Sequence, residues 1–127
     1  MTAPVEASIA ELTQRMLRKK LYVVLSKPKT DPAQLAAHLP AHLEYMIGLE
    51  KEGVLFASGP LVEPGGQPRG DGMTILRTAS AEEARAIAER DPFYVNGLRS
   101  FEVREWTLME GSLTLRVNFS DQSFQLE

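Results

Sequence analysis

Two histidines, His38 and His42, and no cysteine bound the chemistry this chain of 127 residues can carry. His42 lies in Pro40-Ala-His-Leu, just ahead of the helical spacing Leu43, Met46, Ile47, Leu49. Imidazole is the side chain whose unperturbed pKa lies nearest neutral pH, so it suits a general base or acid. If Pro40 opens the helix, His42 sits in its first turn, where the helix dipole disfavours the imidazolium and leaves the ring able to accept a proton. A lone histidine in a first turn is otherwise more often an incidental surface or packing residue. The carboxylate in a comparably marked place is Asp91, before Pro92. At a helix end it would oppose the dipole, and a residue set against local preference sometimes marks a site. There it would orient an imidazole and fix its tautomer. Asp-Pro is also an ordinary turn pair.

Other chemistries have weaker support. Ser58, before Gly59-Pro60, could hydrogen-bond a ligand oxygen. Triads are assembled in space, so a serine nucleophile stays open, with a turn hydroxyl the favoured reading. His38 and His42 have the spacing of two ligands on one helix face, but His-Leu-Pro-Ala-His lacks the glutamate of a His-Glu-x-x-His site and Pro40 would break the shared helix. No metal is expected, and no cofactor. The Gly-rich stretch Glu63–Gly72 lacks the Gly-Lys-Ser/Thr ending of a phosphate loop, so it reads as a hairpin tip or lid. Tyr22, Phe56, Phe93, Tyr94 and Trp106 are expected in the core. Of these, Phe56 and Tyr94 are the candidates to line a substrate pocket, together with Ser58.

Composition fits a single soluble domain with a sizeable core: 43% hydrophobic, 24% charged, net charge -3. The negative balance argues against nucleic acid, whose phosphates demand clustered Lys and Arg. Arg15–Lys20 is the one basic cluster and reads as a solvated helix end. The absence of cysteine removes disulfides and thiolate chemistry and fits a cytoplasmic protein. No apolar run approaches the ~20 residues that span a bilayer, and the start lacks a secretory pattern, so no membrane partner is expected.

The elements that would position these residues follow from the pattern. Residues 1–7 read as loose. Ile9, Leu12 and Met16 predict a helix from Ser8 to Lys19, with Ser8 and Glu11 as a capping box. That helix either lies on its own domain or grips a second subunit. Leu21–Leu25 is a central strand covered on both faces. Asp31-Pro32 starts a helix. Pro40, at a cost of ~3 kcal/mol inside a helix, splits the segment into a short piece ending near His38 and a main helix that stops at Gly53. Val54–Ser58 and Met73–Arg77 form an antiparallel pair around the Gly-rich loop. Ser80 and Glu83 box the start of a helix that should end at Asp91. Phe93–Leu98 is a turn or short irregular piece. Phe101–Leu108 is a strand whose phase change near Glu105 suggests a bulge, or two faces both partly covered. Leu113, Leu115, Val117 and Phe119 alternate with polar residues, predicting a last strand with one buried face.

The resulting order, β-α-β-β-α-β, is ferredoxin-like: an α+β antiparallel sheet with both helices on one face. The open face favours association into a homodimer or higher homo-oligomer. Pro40-Ala-His42-Leu, then Glu52-Gly-Val-Leu-Phe-Ala-Ser58-Gly59-Pro60, then Asp91-Pro92-Phe93, together resemble the YciI-like (YCII-related) family over roughly Lys20 to Met109. The resemblance implies a dimeric α+β barrel related to muconolactone isomerase, with a His and Asp pair in a pocket, His42 and Asp91 here. Most members have no assigned reaction; one branch dehydrochlorinates a chlorinated hydroxyquinol. On this reading residues 1–19 are an added helical extension, 20–109 the family domain, and 110–127 a C-terminal strand extension. The expected function is proton transfer on a small, cyclic or aromatic metabolite, by elimination or isomerisation without a cofactor. The alternatives are a non-catalytic ligand-binding or assembly domain, and a cofactor-free monooxygenase.

Overall fold

The structure, a computed structural model, describes residues 5–127, with side chains from Ser8 onward. It divides into two compact units, Lys20–Thr107 and a second made of the terminal segments. In the first, β1 (Lys19–Pro28), β2 (Leu55–Val62), β3 (Pro68–Leu76) and β4 (Arg99–Leu108) form one sheet in the order β2-β3-β1-β4. β3 runs antiparallel to both β1 and β2. With helices α2 (Pro32–Lys51), α3 (Ala81–Glu89) and α4 (Pro92–Val95) between the strands, this is the expected ferredoxin-like α+β fold.

Strand β1 is central, as its unbroken apolar run requires: Leu21 is fully buried, and Tyr22 and Val24 join Met46, Leu49, Leu76 and Ala84 in the main core cluster. Residues paired across strands share a sheet face, so Tyr22 with Leu76 and Val24 with Thr74 look to the helix side. A register shift at Phe56 re-phases β2, so that Ser58, opposite Thr74, faces the same way. Strands β2 and β3 run further into the Gly-rich stretch than expected, leaving residues 63–67 as the turn. Gly65 and Gly66 take positive φ there, and Pro60 is tolerated because β2 is an edge strand.

Helix α2 differs from expectation. Asp31 caps it by accepting from the Gln34 amide at 3.1 Å, with Pro32 at the first position. It then passes through Pro40 unbroken. Proline's fixed φ is helical, and Leu35 on one side with Met46 and Leu49 on the other are buried, so packing holds the helix across one missing hydrogen bond. It ends as predicted: Gly53, at φ +79°, donates to the Glu50 carbonyl while Val54 donates to that of Leu49, a Schellman closure. Ser80 accepts from the Glu83 amide at 3.1 Å, and Glu83 answers by accepting from Ala79. Helix α3 closes at Arg90, before Asp91, and Phe93–Leu98 opens as helix α4 rather than as a plain turn.

In the second unit, α1 (Val5–Thr13) starts earlier than the Ser8 cap predicts and stops before Lys19. Ser8 is tolerated inside a helix at small cost. The expected looseness of residues 1–7 fails for Val5–Ala7, which are helical, and otherwise lies outside the described residues. Of the basic cluster, Arg18 does serve the helix end, donating to the Thr13 carbonyl at 2.9 Å. Strand β5 (Leu115–Asn118) pairs antiparallel with an unpredicted β6 (Ser123–Leu126). The face expected to be buried is exposed on the single chain: Leu115 and Val117 are more than half exposed and Phe119 is 93% exposed. A two-stranded hairpin has no second layer to bury it.

Candidate functional site

The site forms where α2, the β2–β3 hairpin and α4 meet. Helix continuity through Pro40 puts His42 near the middle of α2, so the expected influence of a helix N-terminus on its ring does not apply. His42 falls on the inward stripe with Leu35, Met46 and Leu49. Its partner is Asp91. Nδ1 lies 2.9 and 2.8 Å from the two carboxylate oxygens. An ionised carboxylate only accepts, so Nδ1 carries the proton. That leaves Nε2 as the free ring nitrogen, without a protein partner among the described residues.

Asp91 directly follows the C-cap of α3, as expected, and it has a second place that the sequence pattern does not reveal. It is the N-cap of α4 and accepts from the Phe93 amide at 2.9 Å, which aligns it with the favourable end of a helix. One carboxylate thus closes α4 and holds the imidazole. The side chains of His42 and Asp91 are 12% and 16% exposed, sheltered but reachable. Phe93 is buried and stacks on the His42 ring, centroids 4.3 Å apart and planes 20° from parallel.

His42 faces a groove of about 770 Å³. Its α2 wall is apolar, with Leu39, Leu43 and Ile47; across it stand Phe56, Ser58 and Pro60 from β2. Ser58 meets the Thr74 hydroxyl at 2.9 Å, and no imidazole bonds it among the described residues. Phe56 lies under the Arg77 guanidinium at 5.1 Å. The structure therefore brings His42, Ser58 and Phe56 to one groove, with Asp91 behind His42. Tyr94 is apart from that groove: it lines a small neighbouring hollow with Asp91 and packs edge-on against Phe101.

Arg99, unremarked in the sequence, lines both spaces. Its Nε donates to the Gly70 carbonyl at 3.1 Å, and its guanidinium stands 4.6 Å above the Phe93 ring. Burial pulls its pKa below the ordinary value, while the charges of Asp91 and Asp71 pull the other way. Gly70, at φ +106°, has no room for a side chain, since a Cβ would run into Leu35. No local pattern marks Arg99; Phe93 is close to it in the chain, but only the folded sheet brings Arg99 to Gly70 and Gly72 of β3. His38 and His42 do share one helix, contrary to the expected break, yet no group of three or more His, Asp or Glu side chains among the described residues is placed to hold a metal. No helix among them is long and apolar enough to cross a membrane.

No curated protein matches the chain. Among solved structures it is similar to 5-chloro-2-hydroxyhydroquinone dehydrochlorinase (TftG) from Burkholderia phenoliruptrix AC1100, in complex with 2,5-dihydroxybenzoquinone. The identity is 24% and the TM-score 0.59, over 68% of this chain and 92% of that one, a likeness of fold. The model of the YCII-related domain matches residues 20–107, the stretch that builds the sheet, the helices and the His42 groove. The chain belongs to the YCII-related domain family.

Proposed function

We propose that the protein is a cofactor-independent enzyme that moves a proton on a small, cyclic or aromatic, oxygenated metabolite, by elimination or isomerisation. The observation that carries this reading is the double contact of Asp91 on His42 Nδ1 at 2.8 and 2.9 Å. It fixes the tautomer in which Nε2 has its lone pair free on the groove side. Nε2 takes a proton from substrate carbon or hydroxyl. The electron pair left behind forms the new double bond, and the leaving group departs with its own pair, or the proton returns at another carbon. Asp91 stabilises the imidazolium that forms meanwhile. Ser58 and Phe56 are the substrate contacts on the β2 side, with Tyr94 less directly placed.

The TftG likeness suggests chlorinated hydroxyquinols as first substrates, and the resemblance of the barrel to muconolactone isomerase suggests lactones. Release of chloride, or a change in ultraviolet absorbance, is to be followed for wild type, His42→Ala and Asp91→Asn. Turnover by wild type that falls in both variants is expected; equal activity in all three removes the dyad. The apolar breadth of the groove also suits a non-catalytic binder, which would show a ligand-induced rise in Tm with no product. The sheet face away from the helices carries part-exposed Val23, Leu25, Met73 and Trp106, which supports a homodimer packed sheet to sheet. Sedimentation would test it.

A further inference from the structure

Arg99 is a half-buried cation with unspent donors. Beyond the bond from Nε to Gly70, its terminal nitrogens have no hydrogen-bond partner among the described residues, and no carboxylate pairs with it within 4.0 Å. No buried side-chain nitrogen or oxygen among those residues lacks a partner, so these free nitrogens lie on accessible surface. Arg99 lines both the groove and the smaller hollow, and Gly72, over which its guanidinium lies, lines the groove and not the hollow. Both terminal nitrogens lie close over Gly72 on the groove floor, 3.2 and 3.4 Å from where a Cβ would stand. The Phe93 ring below Arg99 is the same ring that stacks on His42. Partial loss of water without a bonded counter-charge is unfavourable for a guanidinium. A planar fork of free N–H groups matches the oxygens of an organic anion.

We propose that Arg99 is an anion-binding residue of the groove, and that the ligand class is a small organic anion whose carboxylate, enolate or phenolate oxygen lies on the Arg99 guanidinium with its carbon framework toward His42. This rests on the proposed function for the orientation of the ligand, not for its binding. Gly72 serves the same end by leaving room for the charge. In the reaction, the guanidinium would also steady negative charge that grows on that oxygen as His42 removes a proton.

The test uses matched pairs, each an anion with a neutral analogue: benzoate and benzamide, 4-nitrophenolate and 4-nitroanisole, 2,5-dihydroxybenzoquinone and its dimethyl ether. Binding is measured by calorimetry and thermal shift on the full chain. Wild type is expected to bind at least one anion about tenfold or more tighter than its neutral partner. Arg99→Gln should abolish that preference, and Arg99→Lys should keep part of it. Gly72→Ala, which retains the charge but crowds it, should weaken the anion alone. His42→Ala should leave the preference intact. Equal binding within every pair, binding of no anion, or a preference kept in Arg99→Gln would each overturn the proposal. Should Arg99→Gln fail to fold, Arg99→Lys and Gly72→Ala decide, since unchanged preference in both counts against it. Anions bound through Arg99 but never turned over leave this inference standing and remove the proton-transfer reading. Turnover dependent on His42 with the same KM in wild type and Arg99→Gln does the reverse.

Discussion

Helix α2 carries two stripes that invert the usual rule. The inward stripe, Leu35, Met46 and Leu49, is buried, yet His42 sits in it at 12% exposure. The outward stripe, Leu39, Leu43 and Ile47, is apolar, yet each residue is 42–49% exposed. A polar ring on the buried side needs a partner, and Asp91 supplies it. Apolar side chains on the open side need cover, and within this unit they look into the groove. The difference teaches that one helix has two faces: its inner face builds the fold and admits one paired polar ring, while its outer face walls the groove.

The sharpest break in that comparison is at His42. If the proposed chemistry holds, His42→Ala should lower kcat by about 10²–10⁴-fold, the usual worth of a positioned general base. Asp91→Asn separates the two tasks of Asp91. Asparagine still caps α4, so the fold should stand. Its amide can donate to Nδ1, which places the ring proton on Nε2 and disables the base. A Tm near that of wild type with a kcat loss approaching that of His42→Ala is the expected pattern. A kcat near wild type would assign Asp91 to structure alone.

The two stripes should also part in stability. Met46→Ala opens a cavity in the core and should cost about 2–5 kcal/mol. Leu43→Glu touches only the open wall. It should change stability by no more than about 0.5 kcal/mol while weakening an aromatic ligand by roughly tenfold, from the lost apolar contact. Urea unfolding and ligand titration on both variants read the split. Similar destabilisation by the two would mean that the outer stripe is core as well.

What could be read from the chain alone follows the range of the forces involved. Asp31, Gly53 and Ser80 act on neighbours a few residues away, and all three do what their types predict. The β-α-β-β-α-β order was legible because each element carries its own period. Pro40 misleads because its local penalty is outweighed by the burial of Leu35, Met46 and Leu49, which only the assembled sheet provides. Asp91 is marked by its place before Pro92 and does follow the end of α3, but its second task, capping α4, depends on the turn that only the fold shows. Arg99 was invisible, since its partners Gly70 and Gly72 lie on β3, far back in the chain, and no local pattern links them to the start of β4. Strand β6 was missed although its turn has a local signature, Asp121 accepting from the amide and hydroxyl of Ser123.

A smaller effect than that of the core cavity is expected at Tyr45, three residues after His42 on α2. Its hydroxyl donates to the Ile87 carbonyl at 2.7 Å, tying α2 to α3. Burial is the main reason its pKa is raised above 10.0, with the positive charge of nearby Arg90 opposing. The folded protein therefore holds the phenol proton more tightly than the unfolded chain. That contribution to stability is complete below pH 10.0, where both forms are protonated, and drains away as pH climbs from 10.0 through the higher folded value. Tyr45→Phe should cost about 1 kcal/mol near neutral pH through the lost hydrogen bond. It should also flatten the stability curve on the alkaline side, so that the two proteins converge there. Urea unfolding across that range measures both. Parallel curves at every pH would show that the inner stripe's packing, and not the Tyr45 proton, sets the bond between these helices.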